Sequence, residues 1–597
     1  MENKKASYLF EVSWEICNKV GGIYTVVKSK TQRILEIYQD RYFQIGPYFR
    51  ENAATEFTEE PPTEEFKEIF SKLKNEGIVC HYGKQIRDSV NTILIDFKEF
   101  FKNKNNIKTK LWEDFKVDSL TAGHDFDEPA IWATSVGKLL ELFHYENKKE
   151  IIVAQFHEWL SGAALLYLKK NKVRIATVFT THATMLGRTL TGSGIDLYNV
   201  ITKINPTQEA YKYGIQAKHQ VEEACSLHCD VFTTVSEITA LETKYILKKE
   251  PDLLLPNGLD LERFHTFEEG SIKHKENKEK IKEFLTYYFL PYYHIDLDNI
   301  LFYFIIGRYE FRNKGIDILI KSLGNLNQKL KKEKTNINVI TFFFIPSDIK
   351  GVKIPLLENK TFYADIEHSV DAEISNIRQK IIYSIVSKKM PDTSKLFDQD
   401  FLIETNRKIL GFSKEGSPLL VTHNLNNEQN DSIINGFKEA NLNNEKSDKV
   451  KVIFYPHYLT GSEGLLDLPY YDAISGCHLG IFPSYYEPWG YTPLETGASG
   501  VVAITTDLAG FGRFIEKNKD ESNKEGIFVM KRYNKGDDEA VRVLADYLYK
   551  FTLLPRDERI KLKIQARNLA SLADWKNLVI NYIKAYNLAI EKAYKNE

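Results

Sequence analysis

From Tyr8 to Thr505, short β-branched or aromatic runs alternate with longer stretches of helical period, and this alternation narrows the folds open to the chain. In the first half the strand candidates include Tyr8–Val12, Ile151–Phe156, Ile175–Thr180 and Val231–Val235. In the second half they include Ile300–Ile306, Val339–Phe344, Val450–Tyr455, Leu479–Phe482 and Val501–Thr505. Each run leads into a loop carrying Gly, His, Asn or acidic residues and then into a helical stretch. The pattern predicts an α/β protein with parallel, doubly wound sheets. Such sheets bind ligands at the carboxyl ends of their strands, so chemistry is expected in the loops that follow strands.

A chain of 597 residues is too long for one hydrophobic core. The Lys/Glu-rich segment 266–299 separates the two series, which puts one domain at 1–265 and a second at 266–575. Residues 358–414 are charged and without strand signals, and are expected to form a helical insertion in the second domain. An amphipathic helix is expected from about Trp575 to Tyr594, and 576–597 is set apart as a closing unit. The Asn/Lys-rich pieces Lys102–Lys110 and Asn424–Lys446 are expected as surface loops.

A formal net charge of −2 gives no electrostatic footprint for nucleic acid or an anionic membrane. The longest apolar runs are too short to span a bilayer, and the N-terminus has no signal-peptide pattern. Five Cys, odd in number and sparse, fit a reducing compartment, so a cytoplasmic location is expected. Cys225, His228 and Cys229 lie close in sequence. No second ligand pair accompanies them, and helical packing explains the spacing.

Four clusters could carry chemistry. Asn18-Lys19-Val20-Gly21-Gly22 opens a helix after the first strand, where backbone N–H groups could meet an anion. Gly307–Gly315 (GRYEFRNKG) follows a buried strand and places Arg308 and Lys314 on either side of one loop; Arg forks onto phosphate while Lys acts as a point charge. In Glu487–Glu495 (EPWGYTPLE) two carboxylates flank a Pro/Gly-rich loop. Gly490 to Thr492 can open a helix there, so Glu487 falls in the loop and Glu495 in the helix. The fourth cluster is a set of polar loop residues in the first half: His124-Asp125-Phe126-Asp127, His157-Glu158-Trp159, Thr181-His182-Ala183-Thr184 with Arg188, and Pro256-Asn257-Gly258. The Asp-x-Asp pairs at 125/127, 296/298 and 398/400 are read as non-metal.

The segments FEVSWEICNKVGGIYTVVKSK (10–30), FTTHATMLGR (179–188), VFTTVSEITA (231–240), GRYEFRNKG (307–315) and GCHLGIFPSYYEPWGYTPLE (476–495) resemble the glycogen synthases of the animal and fungal type. The likeness runs from about residue 7 to 580. It implies a GT-B fold, two Rossmann-like domains facing a cleft, with a C-terminal helix crossing back to the first. It implies retaining transfer of glucose from UDP-glucose to the 4-OH end of an α-1,4-glucan, with no metal or other cofactor. By the same resemblance Arg308 and Lys314 hold the UDP phosphates, Glu487 stands near the transferred glucose and Glu495 contacts the ribose. Gly490, Tyr491 and Thr492 form the phosphate-binding helix start, Tyr470 stacks on uracil, and Lys19 with Gly21 and Gly22 reaches the donor phosphates. His182, Arg188, Glu158 and Asn257 line the glucose side. The acceptor O4 is expected to attack on the face that the phosphate leaves, with Glu487 orienting the sugar.

Relatives carry a dense arginine run that binds glucose 6-phosphate. The matching stretch here is thinner (Arg556, Arg559, Lys561, Lys563, Arg567), which leaves a regulatory site and a solvated basic face both open. The chain ends at Glu597 without a Ser-rich tail, which suggests a simpler version of the enzyme. The resemblance also suggests a homo-oligomer, a tetramer being the relatives' form, and leaves room for a priming protein. A sucrose- or trehalose-type transferase would share the E-x7-E pair and the Arg/Lys pair but not YYEPWGYTP. An inactive glucan-binding scaffold would be expected to lose one of Glu487, Arg308, Lys314 or His182, and all are present.

Overall fold

The computed structural model describes residues 5–265, 267–390, 392–520 and 525–595; the expected boundary residue 266 lies outside them. The first half builds a nine-stranded sheet from β1 (Tyr8–Val12), β2 (Tyr42–Pro47), β3 (Phe57–Glu59), β4 (Val79–Gln85), β5 (Asn91–Asp96), β6 (Ile152–His157), β7 (Ala176–Thr181), β8 (Val231–Thr234) and β9 (Leu253–Leu254), in the order β3-β4-β5-β2-β1-β6-β7-β8-β9. Only the β3–β4 and β4–β5 pairings are antiparallel. The second half builds a six-stranded parallel sheet from β10 (Ile300–Ile306), β11 (Asn338–Phe344), β14 (Val450–Phe454), β15 (Leu479–Ile481), β16 (Val502–Thr506) and β17 (Ile527–Met530), in the order β14-β11-β10-β15-β16-β17. A small hairpin of β12 (Ile349–Val352) and β13 (His423–Leu425) stands apart from it. Strands covered by helices on both faces read as continuous apolar runs, as β10 (ILFYFII) does.

Strand order locates the site. In the first sheet the chain runs outward from β1 to β2 and then returns to place β6 on the other side of β1. In the second it runs from β10 to β11 and β14, then returns to place β15 beside β10. Both points are topological switches, where the loops after adjacent strands diverge and leave a crevice. The loops after β1, β6, β10 and β15 carry four of the expected motifs.

The segment after residue 266 is not a loose connector. It forms a helix, Phe267–Phe289, that buries Ile281, Phe284, Leu285, Tyr287, Tyr288 and Phe289. The two Asn/Lys-rich pieces also differ from expectation. Lys104–Phe115 is a helix with Ile107 and Leu111 buried, and Ser432–Glu439 is a helix that buries Ile433, Ile434 and Phe437. The charged stretch forms two long helices, Ile354–Val386 and Gln399–Phe412, with a single turn, Thr393–Leu396, between them. The last helix, Trp575–Ala593, returns to the first sheet: Trp575 Nε1 donates to Ser29 Oγ at 2.7 Å and the Tyr586 hydroxyl to Gln155 Oε1 at 2.7 Å. Among the described residues no helix is long and apolar enough to cross a membrane.

Candidate active site

The loops after β10 and β15 are bound edge to edge. Tyr485 and Tyr486 donate backbone N–H bonds to Asn313 O at 2.8 and 3.2 Å. Gly315, at φ +68°, lies so close to the partner loop that a Cβ would sit 2.1 Å from Pro483 O. This seam brings Lys314 Nζ onto Glu487 Oε2 as an ion pair, with side chains only 16% and 17% exposed. Gly490 takes φ +108° to start the helix Tyr491–Ala498, and a Cβ there would press on Glu487 Cγ at 3.3 Å. Arg308 extends into the opening, 74% exposed, and meets Glu310 at 2.9 Å.

Arg188, Arg308, Lys314 and Glu487 line one cleft of about 560 Å³. Its opposite wall comes from the first half, where the helix Met185–Gly192 supplies Arg188, Thr191 and Gly192. Glu15 feels both Arg188 of its own half and Arg308 of the other, although burial still raises its carboxyl above the ordinary range. The halves are tied beside the cleft: Ser236 Oγ donates to Pro488 O at 2.7 Å and the Tyr486 hydroxyl to Glu242 Oε2 at 3.2 Å. Gly510 is needed there, since a Cβ would fall 2.2 Å from Pro488 O and 2.6 Å from Ser236 Cβ.

One expectation changes. The N–H of Gly21 is not free for an anion, because Glu15 Oε2 accepts from Gly21 N at 2.8 Å and from Tyr24 N at 2.9 Å. Donors orphaned at a helix start need a partner, and this carboxylate supplies one. A ligand phosphate would compete with Glu15 for them. Gly22 has open space around its Cβ position. Lys19 is exposed, with its ammonium 5.8 Å from the Tyr24 ring.

Glu495 receives two hydroxyls, Tyr470 on Oε2 at 2.6 Å and Tyr471 on Oε1 at 3.0 Å. Burial raises its carboxyl pKa against the pull of those two bonds. Tyr470 meets Tyr471 edge to face. Tyr491 and Thr492 are half-buried at the helix start. Asn257 is buried with its side-chain oxygen unpartnered, next to Gly258, whose Cβ position is filled by the Trp575 ring. Glu158, at φ +62°, accepts from the backbone N–H of His182 and Ala183 at 3.1 Å each.

Sequence reasoning missed what stands behind His182. Its Nε2 lies 2.9 Å from His157 Nδ1, and His157 Nε2 lies 2.7 Å from Glu11 Oε1. Glu11 also pairs with Lys30 at 2.5 Å. Lys30 was legible: it falls on the apolar stripe of Ile23, Val26, Val27 and Ile34, where a charge must be buried and paired.

The basic helix, Arg556–Ser571, is not a uniformly solvated face. Lys563 is half-buried, its Nζ 3.1 Å from His274 Nε2, and desolvation lowers its pKa to about 7, with Lys278 and Arg559 adding to the effect. Arg556 bears on the same group, since its charge helps to depress His274. Arg567, one turn on, lines a separate pocket. Among the described residues no group of three or more His, Cys, Asp or Glu is arranged to hold a metal. The Asp pairs face lysines: Asp127 meets Lys108 at 2.9 Å, Asp298 meets Lys282 at 3.0 Å and Asp398 meets Lys380 at 2.6 Å.

The glycogen synthase family model matches residues 11–597. The chain belongs to the glycogen synthase family. Glycogen [starch] synthase of Neurospora crassa is 37% identical over 596 residues, covering 99% of this chain and 84% of that protein. The liver glycogen [starch] synthase of Homo sapiens is 35% identical over 595 residues, with 99% and 84% covered. Isoform 2 of Saccharomyces cerevisiae is 35% identical over 615 residues, with 99% and 87% covered. Among solved structures, the catalytic domain of starch synthase IV from Arabidopsis thaliana, bound to ADP and acarbose, superimposes with a TM-score of 0.52 at 12% identity, covering 98% of this chain and 100% of that one. That likeness fixes the fold as GT-B. As a glycogen synthase family member the chain is a glycosyltransferase, and its two switch-point crevices face each other as that fold requires.

Proposed function

We propose that this chain transfers glucose from UDP-glucose to the non-reducing 4-OH end of an α-1,4-glucan with retention of configuration. The observation that carries the reading is the Lys314–Glu487 pair at the cleft floor, with Arg308 beside it and Arg188 opposite. As UDP departs, negative charge gathers on the diphosphate while the anomeric carbon gains oxocarbenium character. Preformed cations at the phosphate are then the largest stabilisation available. The C1–O bond to the diphosphate breaks, acceptor O4 bonds to C1 on the same face, and the O4 proton passes to the departing phosphate oxygen. Glu487 takes the role of stabilising or orienting the sugar. Arg308, Lys314 and the helix start at Tyr491–Thr492 take the charge that a metal takes elsewhere.

The half-buried cluster of Lys563, His274, Lys278 and Arg559 favours a retained phosphosugar site over a lost one, because basic groups gathered with little solvent depress one another's charge unless an anion joins them. Incorporation of labelled glucose from UDP-glucose into glycogen is expected to resist EDTA and to rise with glucose 6-phosphate. Loss of transfer under EDTA would remove the metal-free reading, and absence of stimulation would remove the regulatory one.

The helices Ile354–Val386 and Gln399–Phe412 leave Ile374, Ile382, Tyr383, Ile385, Ile403 and Leu410 exposed. An apolar face of that extent suits an interface between copies of this chain. Light scattering is expected to give a mass well above the 69.1 kDa of one chain, and Ile385→Glu with Leu410→Glu to reduce it. A monomer of the unaltered protein would contradict this.

A further inference from the structure

Glu11, Lys30, His157 and Tyr42 are almost wholly buried and touch one another. Glu11 Oε1 receives Lys30 Nζ at 2.5 Å and His157 Nε2 at 2.7 Å, and Oε2 accepts the Tyr42 hydroxyl. The returning helix closes this space: the Tyr582 ring lies 4.1 Å from Lys30 Nζ, and Gln155, which Tyr586 engages, stands 3.4 Å from the same ammonium. One anion and one cation cancel here, and a third charge on His157 would leave the buried group with a net positive charge. Burial accordingly holds the His157 imidazole below its ordinary range. Burial alone would raise Glu11, but Lys30 and His157 bring it down to about 2.

Proton positions follow in sequence. A carboxylate only accepts, so the His157 proton is on Nε2 and Nδ1 is bare. Nδ1 therefore accepts from His182 Nε2 at 2.9 Å. Burial, then the neighbouring His157, Lys30 and Arg188, keeps His182 well below the ordinary imidazole range, so it is neutral and its own Nδ1 is bare. That atom has no protein partner among the described residues and is not sealed from solvent. The ring is fixed from the backbone side as well, through the two N–H bonds to Glu158.

We propose that Glu11, Lys30 and His157 are positioning residues that lock His182 in its Nε2–H tautomer, so that its Nδ1 accepts a hydrogen bond from one hydroxyl of the transferred sugar. The sugar contact rests on the function proposed above; the tautomer does not. An acceptor-only nitrogen makes that hydroxyl a specificity determinant, because a donor sugar lacking it leaves the polar atom unpaired.

Two measurements test this. Long-range ¹H–¹⁵N NMR on protein carrying ¹⁵N-histidine, with signals assigned by their loss in His182→Gln, should show a protonated Nε2 and a bare Nδ1 on His182. A proton on Nδ1 would overturn the relay, whatever the enzyme's activity. Separately, kcat/KM is read for UDP-glucose and its four monodeoxy donors. One analogue should fall by roughly 10–100-fold in the unaltered protein. In His157→Phe, which removes the nitrogen that accepts from His182 Nε2, that penalty should shrink to about threefold or less, with the other three unchanged. The same discrimination in His157→Phe would refute the proposal. If His157→Phe fails to fold, the NMR result on the unaltered chain still decides it. No transfer from UDP-glucose by the unaltered protein would sink the functional reading and leave the tautomer result standing.

Discussion

Replacing Lys314 with alanine is expected to lower kcat for glucose transfer by about 10²–10³-fold. The ammonium is held at the cleft floor by Glu487 and by the backbone seam between the loops after β10 and β15, so it is preorganised. On the proposed function it is also the cation beside the departing diphosphate. A cation acting mainly on that developing charge contributes more to the transition state than to donor binding, so kcat should fall by more than KM rises. Removing it also leaves the half-buried Glu487 carboxylate facing the same site without its partner. Steady-state kinetics with UDP-glucose and glycogen read the effect directly. A variant within threefold of the parent would show that Lys314 is a structural counter-ion of Glu487 and no more.

The second large effect is on stability. Trp575 is fully buried at the start of the returning helix, its ring against Gly258 and its indole N–H on Ser29. Trp575→Ala should cost about 3–5 kcal/mol, the range for deleting a large buried aromatic. The loss falls on a strap that joins the second half to the first sheet, so denaturation followed by intrinsic fluorescence and by activity should separate where they coincide in the parent. Unchanged stability would mean that the helix is held by Tyr582 and Tyr586 alone.

Much of this architecture was legible because parallel strands buried on both faces are written as unbroken apolar runs. Ile300–Ile306 was placed to the residue, and the others in that series to within about one residue at each end. Ile527–Met530 (IFVM), a run of the same kind, was not singled out, but other strands that escaped notice differ in character. Tyr42–Pro47 (YFQIGP) contains Gln, Gly and Pro, and its Gln44 is buried only because Thr31, Tyr42 and Gln85 bond to its side chain. Val79–Gln85 belongs to the antiparallel edge and shows a mixed pattern. In Lys104–Phe115 the apolar stripe is too thin to read, since Lys108 completes it by pairing with Asp127 and Ala122 O.

The site divides in the same way. Arg308, Lys314 and Glu487 were found because each lies in a loop directly after a buried strand. The Glu11–His157–His182 chain was not, because its partners are set by pairing of β1 with β6 and of β6 with β7, which sequence spacing does not disclose; Glu15 on the Gly21 N–H is a local contact within the loop after β1 that was overlooked.

The central claim is retaining α-1,4 glucosyl transfer in the Lys314–Glu487 cleft, and the product decides it most directly. UDP-glucose and a short maltooligosaccharide are incubated with the protein and the new linkage is read by NMR. One added glucose, α-configured, on the non-reducing 4-OH is the expected product. A β-linkage, or transfer to a free sugar or sugar phosphate while the oligosaccharide stays unextended, would contradict it.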